Sequence, residues 1–406
     1  MQIKLDLETF INQKVTGRKE SLLQSDFQKY NAQLEERING KSVLVIGGAG
    51  TIGSSYIKAI LKYNIKSLVV LDINENGLTE LVRDLRSSTA YNIPEDFITY
   101  PVNFGDRVFE KIFRKLGPFD IVANFAAHKH VRSEKDIFSI EAMIENNVLR
   151  ARKLLDLLVK FPPEHFFCVS TDKAANPVNI MGASKKLMEE LIMSYSSKIP
   201  IKTARFANVA FSNGSLPLGF LERINKKQPW SCPLGIRRFF VSPQESGELC
   251  LIACIMGESG DIFFPKLDEE KDMILFDHIA LELLNSMGLK ADICKTEEEA
   301  KMKASLLNVN SITYPVYFFG SSTSGEKSFE EFFTDEEQLD LASFVNLGVI
   351  KNSKKRNVKE IDEIFNRLNK LFESNEVTKG SVVEILNEYL PSFHHIEKGK
   401  GLDQNM

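Results

Sequence analysis

Lys41-Ser-Val-Leu-Val-Ile-Gly47-Gly-Ala-Gly50-Thr-Ile-Gly53 is the stretch on which the fold turns. A short apolar run bounded by glycine reads as a buried strand, and Ser54 to Tyr63 reads as an amphipathic helix. Three glycines at the join each have a physical reason to lack a side chain: a tight turn, a backbone laid against pyrophosphate, and close packing of helix on strand. A second apolar run, Ser67-Leu-Val-Val-Leu71, ends in Asp72, nineteen residues after Gly53. Glycines between a strand and a helix, with an acid at that distance, predict a dinucleotide site. Gly47, Gly50, Thr51, Ile52 and Gly53 are its expected contacts, and Asp72 is expected to accept the ribose hydroxyls. A carboxylate there repels a 2'-phosphate and no arginine stands beside it, which favours NAD over NADP. The competing reading of Asp72 is a turn residue capping the next helix.

Outward from this unit, strands keep alternating with helices. After the helix Gly77 to Arg86 come Phe97 to Val102, Asp120 to Ala127, Phe166 to Val169 and Thr203 to Ala210, which all read as strands. The alternation predicts an α/β fold, a Rossmann-type doubly wound parallel sheet. One strand end stands out: Ser170-Thr-Asp-Lys-Ala-Ala-Asn-Pro177, followed by a helix that carries Met181 and Lys185. Thr171, Asp172 and Lys173 leave the carboxyl end of the strand together, where open α/β sheets bind ligands. Lys185 is one helical turn beyond Met181 on the same face. Adjacent ionisable residues in such a place cluster at functional sites.

These residues resemble the extended short-chain dehydrogenase/reductases, with Gly47, Gly50 and Gly53 in their Gly-x-x-Gly-x-x-Gly spacing. Within that superfamily the chain is most similar to the 4,6-dehydratases that act on UDP-N-acetylglucosamine in bacterial surface-polysaccharide pathways. Their hallmark is Ser-Thr-Asp-Lys-Ala, then Asn-Pro, then a Tyr-x-x-x-Lys helix. Met181 stands in the tyrosine's place, as in the capsule and lipopolysaccharide branch with its Asn-x-Met-Gly-Ala-Ser-Lys run. The resemblance covers roughly residues 40 to 335 and implies roles. Asp172 would exchange protons with the 4-hydroxyl or the leaving 6-hydroxyl, and Lys173 would remove the carbon-5 proton. Thr171 would bond the 4-oxygen, and Lys185 the nicotinamide ribose. Met181, a thioether, has no proton to give. Lys173 must be neutral to act, so burial or a neighbouring cation such as Lys185 is expected to lower its proton affinity.

The resemblance also implies the rest of the site. Asn103, where relatives carry aspartate, would meet adenine beside Phe104, and the small Ala126 and Ala127 would let the cofactor lie against a strand end. Asn146-Asn147-Val148 matches a helix asparagine that props the catalytic strand through the backbone. Lys129, His130, Asn208 and Ser215 are expected at the sugar diphosphate, although His130 reads equally well as a histidine held by backbone. Arg238 is the expected phosphate clamp, because a guanidinium bonds phosphate through two N–H groups; the alternative is a surface ion pair. Glu326 belongs to Gly325-Glu-Lys-Ser-Phe-Glu-Glu331, which matches a C-terminal family segment and is expected at the substrate. Thr323 replaces an arginine there, leaving Lys266 or Lys327 to supply the missing charge.

Composition narrows the class. With 43% apolar and 26% charged residues the chain reads as an ordinary globular protein, and a net charge of -4 argues against nucleic acid as a partner. Five cysteines lack metal-ligand spacing, so no metal is expected, and a reducing cytoplasm is the simple reading. No apolar run reaches the roughly 18 residues of a membrane helix and no signal pattern opens the chain, so a soluble form is expected. Four parts are expected: 1–40, a helical extension capped near Ser25-Asp26; 41–210, the NAD-binding domain; 211–334, a smaller substrate-binding region; and 335–406, a C-terminal helical extension. Residues 268 to 311 read as solvated helix. A homo-oligomer acting on a UDP-sugar is expected. The alternatives are a UDP-sugar 4-epimerase, which needs no carbon-5 base, and a non-catalytic NAD-binding sensor, against which Asp172, Lys173 and Lys185 together weigh.

Overall fold

The computed structural model describes residues 5–130, 134–320, 330–351, 353–374 and 376–396. Strands β1 (Ser42–Ile46), β2 (Ser67–Leu71), β3 (Asp96–Tyr100), β4 (Ile121–Asn124), β5 (His165–Val169) and β6 (Ile201–Ala204) come first. They are followed by β7 (Asn208–Val209), β8 (Trp230–Leu234), β9 (Arg237–Val241), β10 (Asp261–Pro265) and β11 (Met273–Leu275). The last are β12 (Lys290–Cys294), β13 (Thr313–Gly320), β14 (Leu339–Asp340) and β15 (Leu347–Ile350).

Nine of the described strands form one sheet in the order β14-β15-β10-β6-β5-β4-β1-β2-β3. From β3 through β10 every pairing is parallel; β15 and β14 close the far edge antiparallel. Parallel strands covered on both faces must be apolar along their whole length, and Val43 to Ile46 of β1 are at most 2% exposed. From β1 the chain winds outward to β2 and β3, then crosses to β4 and winds the other way. That reversal opens a crevice at the carboxyl ends of β1 and β4, the place where such sheets take ligands.

The expected doubly wound α/β sheet is present, with several boundaries moved. The first helix is Thr51–Ile60, beginning directly at Gly50 rather than at Ser54. The run Thr203 to Ala210 is not one strand: the chain leaves the large sheet after Ala204, and Asn208–Val209 pairs with β9 in a small sheet of order β11-β9-β7. Residues 211–334 are not a separate block, because helix Pro243–Met256 and β10 belong to the large sheet's core. The expected solvated helix over 268–311 is instead β11, helix Phe276–Ser286, β12 and the charged helix Glu297–Ser305. Ile279, Ala280, Leu283 and Leu284 form an apolar stripe that is fully buried, and it fixes the first of these helices in the second apolar cluster with Trp230 and Phe240.

At the N-terminus, helix Gln24–Ile38 packs Leu34 and Ile38 into the main core. Asp26 does not cap it: its two carboxylate oxygens accept the Val345 and Asn346 amides at 2.6 and 2.8 Å. The segment after 335 is not purely helical, since β14 and β15 extend the sheet before helices Val358–Phe372 and Lys379–Tyr389. Beyond them the chain returns to the strand end singled out in the sequence: His394 N–H bonds the Pro177 carbonyl and Ile396 N–H that of Val178.

Candidate active site

At the switch point a cleft of about 300 Å³ is lined by Gly47, Gly50, Thr51, Ile52, Gly53, Asp72, Asn103, Phe104, Ala126, Ala127 and Lys129, among others. Gly47 has φ +77°, and a Cβ there would sit 2.6 Å from the Ala126 nitrogen. A Cβ on Gly53 would lie 2.2 Å from the Gly47 carbonyl oxygen. These two glycines let the turn close on itself. Gly50 differs: its Cβ would meet nothing nearer than 3.5 Å, so the space it leaves is not taken by protein. That opening, at the N-terminus of helix Thr51–Ile60, fits a pyrophosphate. Asp72 accepts the Ala49 and Asn74 amides at 2.9 Å each, while the next helix is capped by Asn74. Its carboxylate therefore orders the turn and keeps lone pairs for ribose hydroxyls. The Asn103 carbonyl is engaged by the Gly105 amide at 2.8 Å, so adenine would share that acceptor with its own turn.

The second half of the site lies at the end of β5, beside the end of β4. Thr171 opens a short 3-10 turn, Asp172–Ala174, and donates its hydroxyl to Asp172 Oδ1 at 2.6 Å. Asp172 is 3% exposed, and Lys173 Nζ lies 3.1 Å from both of its carboxylate oxygens. Asn179 caps helix Ile180–Ser194, which carries Met181 and Lys185, both buried. The Lys185 ammonium donates to the Val169 carbonyl at 2.6 Å, bracing the last turn of β5; burial lowers its proton affinity.

One expectation reverses. Lys173 was to lose proton affinity, yet although burial opposes its charge, Asp172 and then Glu330 outweigh it and hold the ammonium above its ordinary range. Lys185 is not among the groups that set this balance; its ammonium is held by the Val169 carbonyl.

Glu330 is the residue that sequence reasoning missed. It is buried, and its Oε1 lies 3.5 Å from Lys173 Nζ, 2.7 Å from Asn208 Nδ2 and 3.6 Å from Arg238 Nε. The expected phosphate contacts Asn208 and Arg238 are thus gathered with Asp172 and Lys173, around a carboxyl group from 157 residues away. Burial first, then the Asp172 charge, push Glu330 up to about 7 against the pull of Lys173 and Arg238. Its neighbour Glu331 accepts from Asn176 at 3.1 Å, so the returning segment grips the loop after β5 twice. The only sequence signal was the pair of glutamates closing Gly325 to Glu331, whose Glu326 lies outside the described residues.

Other expected contacts have partners of their own, next to a loop whose Asn213 amide bonds the Thr51 hydroxyl of the glycine turn at 2.9 Å. His130 is exposed and its ring stands against Gly214, where a Cβ would come within 2.8 Å of it. Ser215 caps helix Leu216–Asn225. Lys266 is not at the site: it donates to the carbonyls of Leu341, Phe344 and Val345 at 2.6, 2.8 and 3.1 Å. Asn147 does not prop β5. It exchanges two hydrogen bonds with the His128 backbone and donates to Ser184 Oγ, tying the loop after β4 to helix Ile180–Ser194. It does so from a π-helical turn, Glu145–Leu149, a distortion common at functional sites.

Behind the strand end, Arg205 is fully buried and uses all five N–H groups on Glu189, Glu337 and the Phe332 carbonyl, at 2.8 to 3.0 Å. This locks the segment that carries Glu330 onto the main sheet.

Sheet order, glycine turn and strand-end cluster together define a Rossmann-type protein of the short-chain dehydrogenase/reductase kind. The chain belongs to the polysaccharide biosynthesis protein family, whose model matches residues 43–352. It is 31% identical over 317 residues to MJ1061 of Methanocaldococcus jannaschii, described as an uncharacterized membrane protein, covering 76% of this chain and 85% of that one. The inverting UDP-N-acetylglucosamine 4,6-dehydratase of Campylobacter jejuni is 26% identical over 264 residues, covering 62% of this chain and 75% of that one. A UDP-glucose 4-epimerase of Rickettsia canadensis is 30% identical over 233 residues, covering 56% and 66%. The chain spans about half the length of two other relatives, 50% of EpsC of Bacillus subtilis and 47% of CapD of Staphylococcus aureus. Among solved structures, Pen from Bacillus thuringiensis shares the fold, with a TM-score of 0.62 at 21% identity, over 82% of this chain and 98% of that one.

Proposed function

We propose that this protein is a nucleotide-sugar 4,6-dehydratase that takes UDP-N-acetylglucosamine or a close UDP-sugar to a 4-keto-6-deoxy sugar. The observation that carries the reading is the pair Asp172-Lys173 at the end of β5, beside the glycine cleft, with Met181 where a phenol would serve a simple dehydrogenase. The glycine turn and Asp72 suit a nicotinamide dinucleotide, NAD rather than NADP. Bound there, it would accept hydride from carbon 4 of the sugar and return it to carbon 6.

The chain's own residues handle the protons. Thr171 and Asp172 share a hydrogen bond that a 4-hydroxyl can join, so Asp172 takes its proton as carbon 4 is oxidised. The ketone acidifies the carbon-5 hydrogen, and Lys173, as a free amine, removes it. The 6-hydroxyl leaves as water with the proton held by Asp172, and Lys173 returns its proton to carbon 5. Arg238 and Asn208 would hold the diphosphate. An epimerase has no use for a carbon-5 base, and the rickettsial enzyme's similarity makes epimerisation the outcome to test against.

Incubation with UDP-N-acetylglucosamine and mass spectrometry tests this: the product should be lighter by one water. Asp172→Asn and Lys173→Met should each abolish that product with dinucleotide still bound, and unchanged turnover removes them from the mechanism. A homo-oligomer is part of the proposal, to be checked by light scattering. No helix among the described residues is long and apolar enough to cross a membrane.

A further inference from the structure

Dehydration as proposed needs Lys173 as a free amine, and the resting site holds it as an ammonium. Asp172 and Glu330 both face it, at 3.1 and 3.5 Å, and Lys185, from the helix after the strand end, is turned to a backbone carbonyl. A proton must therefore leave Lys173 before the carbon-5 step. Asp172 is not free to be the destination, since it must stay a carboxylate to take the 4-hydroxyl proton, and the Lys173 charge and the Thr171 hydroxyl hold it ionised despite burial.

Glu330 is the other choice, and its surroundings suit the task. Among the described residues, the charged groups facing it besides Lys173 are Asp172 from the strand end and Arg238 from β9, with Asn208 and the Phe239 amide at 2.7 and 3.3 Å. Arg238 is the cation expected to bind a diphosphate. Once its guanidinium turns to phosphate, Glu330 loses a positive neighbour and gains proton affinity.

Resting on the dehydratase reading, we propose that Glu330 is the proton acceptor for Lys173. As the sugar diphosphate engages Arg238, one N–H bond of Lys173 breaks and one O–H bond forms on Glu330. An ammonium and a carboxylate become an amine and a carboxylic acid, with no change in net charge. Burial favours the neutral pair, because a dry site penalises both charged forms. At the end of the cycle, after Lys173 has returned its borrowed proton to carbon 5, the Glu330 proton passes back. Glu330 acts through Lys173 and touches no reacting atom, so it is a positioning residue for the base.

The test isolates the carbon-5 step. Wild-type protein, Glu330→Gln and Glu330→Asp, each with bound dinucleotide verified, are given the UDP-linked 4-keto-6-deoxy product in deuterium oxide. NMR follows loss of the carbon-5 hydrogen across a pH series, and dehydration of UDP-N-acetylglucosamine is measured in parallel. Wild type should exchange readily near neutral pH. Glu330→Gln keeps shape but takes no proton; although losing the Glu330 charge eases deprotonation of Lys173, exchange should be roughly 100-fold slower there for want of an acceptor and recover about tenfold per pH unit as Lys173 gives its proton to solvent. Glu330→Asp should stay within about tenfold of wild type. Exchange by Glu330→Gln at the wild-type rate, or slowed equally at every pH as a merely structural role requires, overturns the proposal. If wild type dehydrates while Glu330→Gln is unimpaired, only this inference fails; if wild type neither dehydrates nor exchanges, the dehydratase reading falls and takes it along.

Discussion

Arg205 and Lys173 occupy matching situations with opposite outcomes. Each cation faces two carboxylates, one from the β5–helix unit and one from the returning segment: Glu189 and Glu337 for Arg205, Asp172 and Glu330 for Lys173. The Arg205 guanidinium is fully buried, planar and saturated, and an arginine does not give up its proton. The Lys173 side chain is 32% exposed, its contacts are longer, and one of its carboxylates is pushed up to about 7. The first cluster is a fixed joint and the second is poised to move protons. Buried charge by itself therefore says little about role; what separates the two is whether every donor is satisfied and whether the cation can be deprotonated.

The comparison breaks most visibly at the joint. Arg205→Met strands the buried Glu189 and the half-buried Glu337 and should destabilise the fold by about 3–5 kcal/mol in urea denaturation; a loss below about 1 kcal/mol would make the joint ornamental. Lys173→Arg sharpens the contrast, keeping the charge but not the removable proton. It should lower dehydration by at least roughly 100-fold, about 2.7 kcal/mol, with little change in stability. Away from both clusters, Asp72→Ala should weaken dinucleotide binding in calorimetry by roughly ten- to a hundredfold, the value of a charged hydrogen bond.

The smallest effect is a pH dependence of stability. Glu330 sits at about 7 in the folded protein against an ordinary 4.5, so the folded state binds this proton more tightly than the unfolded chain. The sign follows: its contribution is greatest below the ordinary value and is lost as pH rises through about 7. Thermal melts should show part of the stability lost across that window in wild type and not in Glu330→Gln. An identical pH profile for the two would remove Glu330 from the set of groups that titrate on folding.

What the sequence made legible was local. Glycine spacing, the apolar runs of β1, β2 and β5, and Thr171-Asp172-Lys173 are each encoded within a few residues, and each has its physical signature in composition or period. Glu330 was not legible, because its meeting with Asp172 depends on a chain return of more than 150 residues that leaves no periodicity near either partner. The Lys173 expectation reversed for the same reason: burial was foreseeable from its place at a strand end, the second carboxylate was not. Phe276–Ser286 reads as solvated because flanking charges dilute the signal of its four-residue apolar stripe. Arg205 reads only as part of an Arg-Phe-x-Asn run, although it follows directly on β6 and anchors the segment that carries Glu330.

The account is tested most directly by one incubation: purified protein with UDP-N-acetylglucosamine in deuterium oxide, followed by mass spectrometry and NMR of the nucleotide sugar. It predicts a 4-keto-6-deoxy product that has lost one water and carries deuterium at carbon 5, the mark of a base working beside a hydride carrier. Recovery of a nucleotide sugar of unchanged elemental composition, epimerised at carbon 4 with its carbon-5 hydrogen intact, would contradict it.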